Sequence, residues 1–276
     1  MVGLSRFKDI DVSSSNMLTT SFSTRSFNSS RSERVIQLAD YVDTQIPSLI
    51  SNFDNLFGTS VLDVASIEIV HGPALAFYGA NAFNSVIINN SKDPFHDPGL
   101  TVRLWGGNRD LLDGQLRYAT TIGDWITFKI SGDAIVSNDF LADNQSATST
   151  LIEPSNNAAG YGAVSRYGDI GNTFTAAGSA LAGKTVFLLG YTESELVAGD
   201  NKTPSHKSAP SLSVLLTNSL KATINYKYTN ANTIYQSASR YCFVNSGAHQ
   251  GRVQIEGNNW FVRVFITYYY SGGRDP

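Results

Sequence analysis

From about residue 99 onward the chain alternates. Leu100, Val102 and Leu104 stand between Thr101, Arg103 and Trp105, and Ile126, Phe128 and Ile130 stand between Thr127, Lys129 and Ser131. A two-residue period sends one set of side chains to each face of a strand. The same code returns at 220–229, where Ala222, Ile224, Tyr226 and Tyr228 interleave with Lys221, Thr223, Asn225 and Lys227, and again at 251–256 and 260–269. Loops rich in Asn, Asp, Gly and Ser separate the runs, so residues 99–269 predict about eight to ten strands.

The first 95 residues read differently. Residues 11–32 are dominated by Ser, Thr and Asn, with isolated Phe22 and Phe27; Val35 to Leu38 then form a short strand-like run entering the acidic turn Asp40 to Asp43. Leu49, Ile50, Phe53, Leu56 and Phe57 suit a short helix. Val61 to Val64 and a strand over 66–70 follow, and the segment ends at Asp93-Pro94. Residues 1–19 read as a leftover, unstructured N-terminus.

The alternation has two physical meanings. In a soluble sandwich the apolar face is the core; in an outer-membrane barrel it faces lipid, the polar face lines a lumen, and Tyr, Trp and Phe collect in belts at the interfaces. Lys, Arg, Thr and Asn at mid-strand and the run Tyr268-Tyr269-Tyr270 favour the barrel, without excluding the sandwich. Composition narrows the rest. With 20 Lys+Arg against 23 Asp+Glu and 16% charged residues, the chain lacks the basic footprint of nucleic-acid binding. No run approaches the roughly 20 apolar residues of a membrane-spanning helix. A single cysteine, Cys242, and four histidines give no support for a disulfide or a zinc site.

Other chemistry is sparse. Asp133, Asp139, Asp143 and Asn144 lack the spacing and the bidentate glutamate of an EF-hand, and a polar loop accounts for them. His96, His206 and His249 assemble with no nucleophile and orienting group, Gly160-Tyr161-Gly162 reads as a hinge or turn, and no glycine loop joins a strand to a helix. The sequence therefore predicts neither an enzyme nor a cofactor.

The most specific stretch is 64–92. Ile67-Glu68-Ile69 forms a strand, Gly72-Pro73 a turn, Tyr78-Gly79 a second and Asn81-Ala82-Phe83 a third, closed by Val86-Ile87. Glycine supplies backbone freedom at the reversals, and Pro73 fixes φ just after the first. This stretch resembles the end of the plug domain of TonB-dependent outer-membrane receptors, whose usual form is I-E-V, R-G-P, L-Y-G-x-x-A and G-V-I-N. Arg25-Ser26-Phe27 and the run from Arg34 to Asp40 are similar to that family's R-G-F and R-V-x-x-L-x-D, and the detail is nearest the Bacteroidetes type. The sequence departs from the pattern at His71, Ser26 and Ser85, which replace an arginine and two glycines.

The resemblance implies a mainly β fold: a partial antiparallel transmembrane β-barrel (residues 96–276) with an N-terminal α+β plug segment (residues 20–95). It implies nutrient uptake across the outer membrane of a Gram-negative bacterium. The implied partners are outer-membrane lipid, the TonB–ExbB–ExbD energising complex and a nutrient ligand whose class is not readable. The plug region 67–87 is expected inside the concave face of the barrel strands, with Glu68 paired to Arg103 or Arg263 of the wall. Because such a barrel has about 22 strands and the signal peptide and Ton box have no counterpart, the chain is expected to be a fragment that cannot transport alone. A small passive barrel and a soluble β-sandwich binding module are the alternatives.

Overall fold

The computed structural model describes residues 10–14, 16–24, 34–45, 58–79, 82–140, 201–236 and 240–270, together with Gly272 and short pieces between 171 and 187. The expected helix at 49–57, Arg25, Phe27, Asn81, Asp143, Asn144 and Gly160 to Gly162 lie outside the described residues.

Strands run through the whole described chain. A hairpin of β1 (Ile10–Ser14) and β2 (Thr20–Thr24) comes first. A four-stranded mixed sheet follows, built from β3 (Val35–Ala39), β4 (Val42–Asp43), β5 (Val64–His71) and β6 (Ser85–Ser91) in the order β4-β3-β6-β5. Within it β3 and β6 are parallel, whereas β5 and β6 are antiparallel. The connection from β5 to β6 carries one helical turn, α1 (Leu75–Tyr78). Gly72 at φ 95° and Gly79 at φ 86° occupy the left-handed backbone region, as expected of the two turns.

Both faces of this small sheet are apolar and both are covered. Ile36, Leu38, Val86 and Ile88 pack against Ala74, Tyr78 and Ala82 of the β5–β6 connection. Val35, Ile87, Ile67 and Ile69 pack against Ile10, Val12 and Phe22 of the hairpin. The expectation of an unstructured N-terminus over 1–19 is corrected for its described part, because residues 10–14 are strand and Leu18 is fully buried against Ala231 and Ala248. A segment so rich in Ser and Thr still orders because the ladder satisfies its backbone and two apolar side chains anchor it.

Two short strands, β10 (Gly171–Thr173) and β11 (Thr185–Phe187), pair with each other. The long strands form a second sheet: β7 (Gly99–Gly107), β8 (Leu111–Ile122), β9 (Ile126–Val136), β12 (Ser205–Thr217), β13 (Leu220–Gln236), β14 (Arg240–Glu256) and β15 (Phe261–Tyr270). They lie in the order β15-β14-β13-β12-β9-β8-β7, every neighbour antiparallel. Short turns join the strands at one end, at 123–125, 218–219 and 257–260. The edges, β7 and β15, pair with no further strand among the described residues.

Candidate functional site

The seven-stranded sheet reverses the burial of a soluble protein. Its buried face carries Gln115, Arg117, Lys129, Asp133, Asn225, Lys227, Thr229 and Gln250; its other face exposes Leu104, Leu112, Leu116, Ile224, Val253, Val262, Val264 and Ile266. The register enforces this, since Leu212, Ile224, Val253 and Val264 lie side by side across four strands. Exposed Trp125 and Trp260 mark the short-turn end of the apolar band. Toward the other end, Tyr226, Tyr228, Tyr268 and Tyr270 gather around His249, whose Nδ1 lies 2.5 Å from the Tyr226 hydroxyl. An apolar band bounded by aromatic belts is the surface a strand presents to lipid.

The polar face holds the small sheet by ion pairs. Asp63, at the end of the 3-10 turn Val61–Asp63, takes Arg117 Nε at 2.9 Å on one oxygen and Lys129 Nζ at 2.9 Å on the other. All three side chains are at most 4% exposed. Arg117 also donates to the carbonyl of Asp97, and Lys129 to that of Lys92. Nearby, Asp133 of β9 accepts from the Ser60 hydroxyl and pairs with Lys207 at 3.2 Å. Asp40, in the turn between β3 and β4, lies 3.6 Å from Arg252 and 4.0 Å from Lys227. Asp93 takes Lys221 at 3.2 Å, which Glu256 also holds at 2.7 Å. Gln250 and Tyr269 add bonds to the carbonyls of Asp43 and Gln45, and Asn16 donates to that of Ile234.

The pairing expected of Glu68 is not the one formed. Its carboxylate accepts from the Asn90 amide at 2.6 Å within the small sheet, and among the described residues it has no basic partner. Arg103 lies over the Trp105 ring, while Arg263 donates to Gln254 and lies over Tyr41 and Phe261. The reason is position: Glu68 is exposed in β5, one of the two edge strands of the small sheet, whereas the turns and strand ends around 40, 60–63 and 91–93 reach the wall. Ile67, Gly72, Pro73, Tyr78, Ala82, Val86 and Ile87 build the small sheet and its crossover and take no part in the wall contacts described. His71 is an exposed strand end, and Ser85, in the family's glycine position, is fully buried.

Asp40, Asp63 and Asp93 are the residues sequence reasoning missed. Asp63 lies unremarked within the run 61–64, and the lysines and arginines that meet it were visible only as mid-strand charges without a stated partner.

The carboxylates of this interface respond to pH in opposite ways. Burial pushes Asp40 up, but Lys227, Arg252 and the Ser91 N–H outweigh it and hold its carboxyl below the ordinary range. Burial is likewise outweighed at Asp93, by the Phe95 N–H and Lys221. Burial of Asp43 prevails and raises that group. A lowered carboxyl stabilises the folded state above its unfolded value and loses that contribution as pH falls through the folded one; a raised carboxyl does the reverse. Docking of the small sheet should therefore persist at neutral pH and weaken only below about pH 4. Limited proteolysis with an acid-active protease checks this: cleavage in the small sheet should rise below that point, with the long strands still protected.

A sheet polar on its buried face and apolar on its exposed face, with a smaller sheet ion-paired to the polar side, is the fold seen in solved structures of TonB-dependent outer-membrane receptors. No family model matches the chain. No curated protein matches it in sequence. Solved structures do match in fold. The copper transporter OprC superposes with a TM-score of 0.61 at 11% identity, over 97% of this chain and 35% of that one. The FrpB iron transporter from Neisseria meningitidis gives 0.58 at 13% identity, over 97% and 37%. The alcaligin outer-membrane receptor FauA from Bordetella pertussis gives 0.56 at 14%, over 96% and 34%. The chain thus spans about a third of the length of the structures it resembles.

Proposed function

We propose that this chain supplies the plug and part of the barrel wall of a TonB-dependent outer-membrane receptor for nutrient uptake. Residues 20–95 form the plug segment, with the hairpin from residue 10 packed on it, and residues 96–276 belong to the wall. The partners are outer-membrane lipid, the TonB–ExbB–ExbD complex and a nutrient ligand. The observation that carries this reading is the inverted burial of the long strands, with charged side chains inside and a Leu, Ile and Val band outside.

That inversion speaks against a soluble sandwich, whose apolar face would be covered. A small self-closed barrel is disfavoured by strand parity. Among the described residues the seven neighbouring antiparallel strands leave β7 and β15 running the same way, so joining them directly would require a parallel seam. About eight strands enclose only enough room for side chains, and here a whole sheet sits against the polar face. Unpaired edge amides cost several kcal/mol per group in lipid, so the wall needs further strands to seal.

The test is expression of residues 1–276 behind an added export signal in a strain lacking its own receptor. The chain should fractionate with the outer membrane, require detergent for extraction, and give no energy-dependent uptake of iron chelates, cobalamin or oligosaccharides. Recovery as a soluble periplasmic protein would overturn the membrane reading, and energy-dependent uptake of any of these would overturn the need for further strands.

A further inference from the structure

A cavity of about 520 Å³ lies between the β3–β4 turn and the polar face of the wall, toward the short-turn end. Its volume is in the range of small-molecule sites. Five basic residues line it (Lys92, Lys129, Lys221, Arg252 and Arg263) against three acidic ones, Asp40, Asp93 and Glu256. The acids are already engaged: Asp93 and Glu256 hold Lys221, and Asp40 holds Arg252 and Lys227. Lys129 is taken by Asp63. Lys92 and Arg263 are left with no carboxylate partner among the described residues, and the buried Arg252 Nε has no hydrogen-bond acceptor.

A second observation concerns the turn that closes this cavity. Asp40 and Tyr41 both have positive φ, 50° and 62°, in a tight connection where Gly or Asn is the usual choice. A bulky non-glycine residue in the left-handed region is strained and persists only where its surroundings hold it. Here Asp40 is clamped by Arg252, and Tyr41 places its ring beside the Arg263 guanidinium, 5.5 Å from centroid to Cζ, with Phe261 at 5.0 Å. The Arg263 guanidinium thus lies near one ring of the turn and one of β15, its Nε on Gln254 and no carboxylate on its terminal nitrogens among the described residues.

We propose that this cavity binds a small anionic solute bearing carboxylate or phosphoryl groups, with Arg263 and Lys92 as its donors. Cations without a carboxylate partner around a half-open cleft favour a ligand that brings the missing acceptors, and arginine's planar fork matches either oxyanion. This deepens the functional reading and rests on it, since it names the chemical class of a solute passing between plug and wall.

The experiment is isothermal titration of the full chain in detergent micelles with citrate and with pyrophosphate, and with glucose and spermidine as neutral and cationic comparisons. Citrate, pyrophosphate or both should bind, glucose and spermidine should not, and Arg263→Gln or Lys92→Gln should weaken anion binding about tenfold each. Arg263→Lys, which keeps the charge, should retain part of it, and Glu68→Gln, outside the cavity, should leave it unchanged. Failure of both anions to bind, binding unaffected by Arg263→Gln and Lys92→Gln, or preference for spermidine would overturn the proposal. A chain that fractionates with the outer membrane yet ignores both anions overturns this inference and leaves the receptor reading standing.

Discussion

Asp63→Ala should destabilise the folded chain by about 3–5 kcal/mol, the cost of leaving Arg117 and Lys129 buried beside a missing carboxylate. The size follows from burial and not from the strength of the pair. Transferring these charges from water is expensive, and the two contacts at 2.9 Å with the carbonyl bonds of Arg117 and Lys129 offset that cost only while Asp63 is present. Glu68→Ala makes the comparison. That carboxylate is exposed and accepts one amide hydrogen bond from Asn90, so its loss should stay within about 0.5 kcal/mol. Urea titration of both variants in detergent micelles, followed by tryptophan fluorescence, separates the two. Equal effects would mean that the ion pairs at the end of the 3-10 turn do not hold the small sheet to the wall.

The contrast between these two acids also marks where sequence reading stops. The strands at 100–105, 126–130, 220–229 and 260–269 were legible because apolar and polar residues alternate with the same period as the pleat. The 67–87 segment was legible because Gly72 and Gly79 must reverse the chain. Glu68 was expected to meet the wall since it lies inside that motif, yet the topology puts its strand at the free edge of the small sheet. Asp63 and Arg117 are 54 residues apart, and Asp40 and Arg252 are separated by 212. Neither pair has a local signature, and both depend on how one sheet sits against the other. The hairpin at 10–24 was missed for a different reason: its Ser- and Thr-rich strands have the composition of a loop, and only Leu18, Phe22 and Ile10 reveal that it is packed.

Alternation by itself does not say which face of the long strands is covered by lipid and which by water. Val253 lies mid-band on β14, between Ile224 and Val264 and between the aromatic belts, and is 49% exposed. On the lipid-facing reading Val253→Arg places a charge near the bilayer midplane, at about 2–4 kcal/mol. On a water-facing surface the same change would fall within about 0.5 kcal/mol. The decisive measurement is urea unfolding of the full chain and of Val253→Arg, both refolded into phosphatidylcholine vesicles. A midpoint lowered by a destabilisation of about 2–4 kcal/mol is expected; an unchanged midpoint would contradict the assignment of this face to lipid.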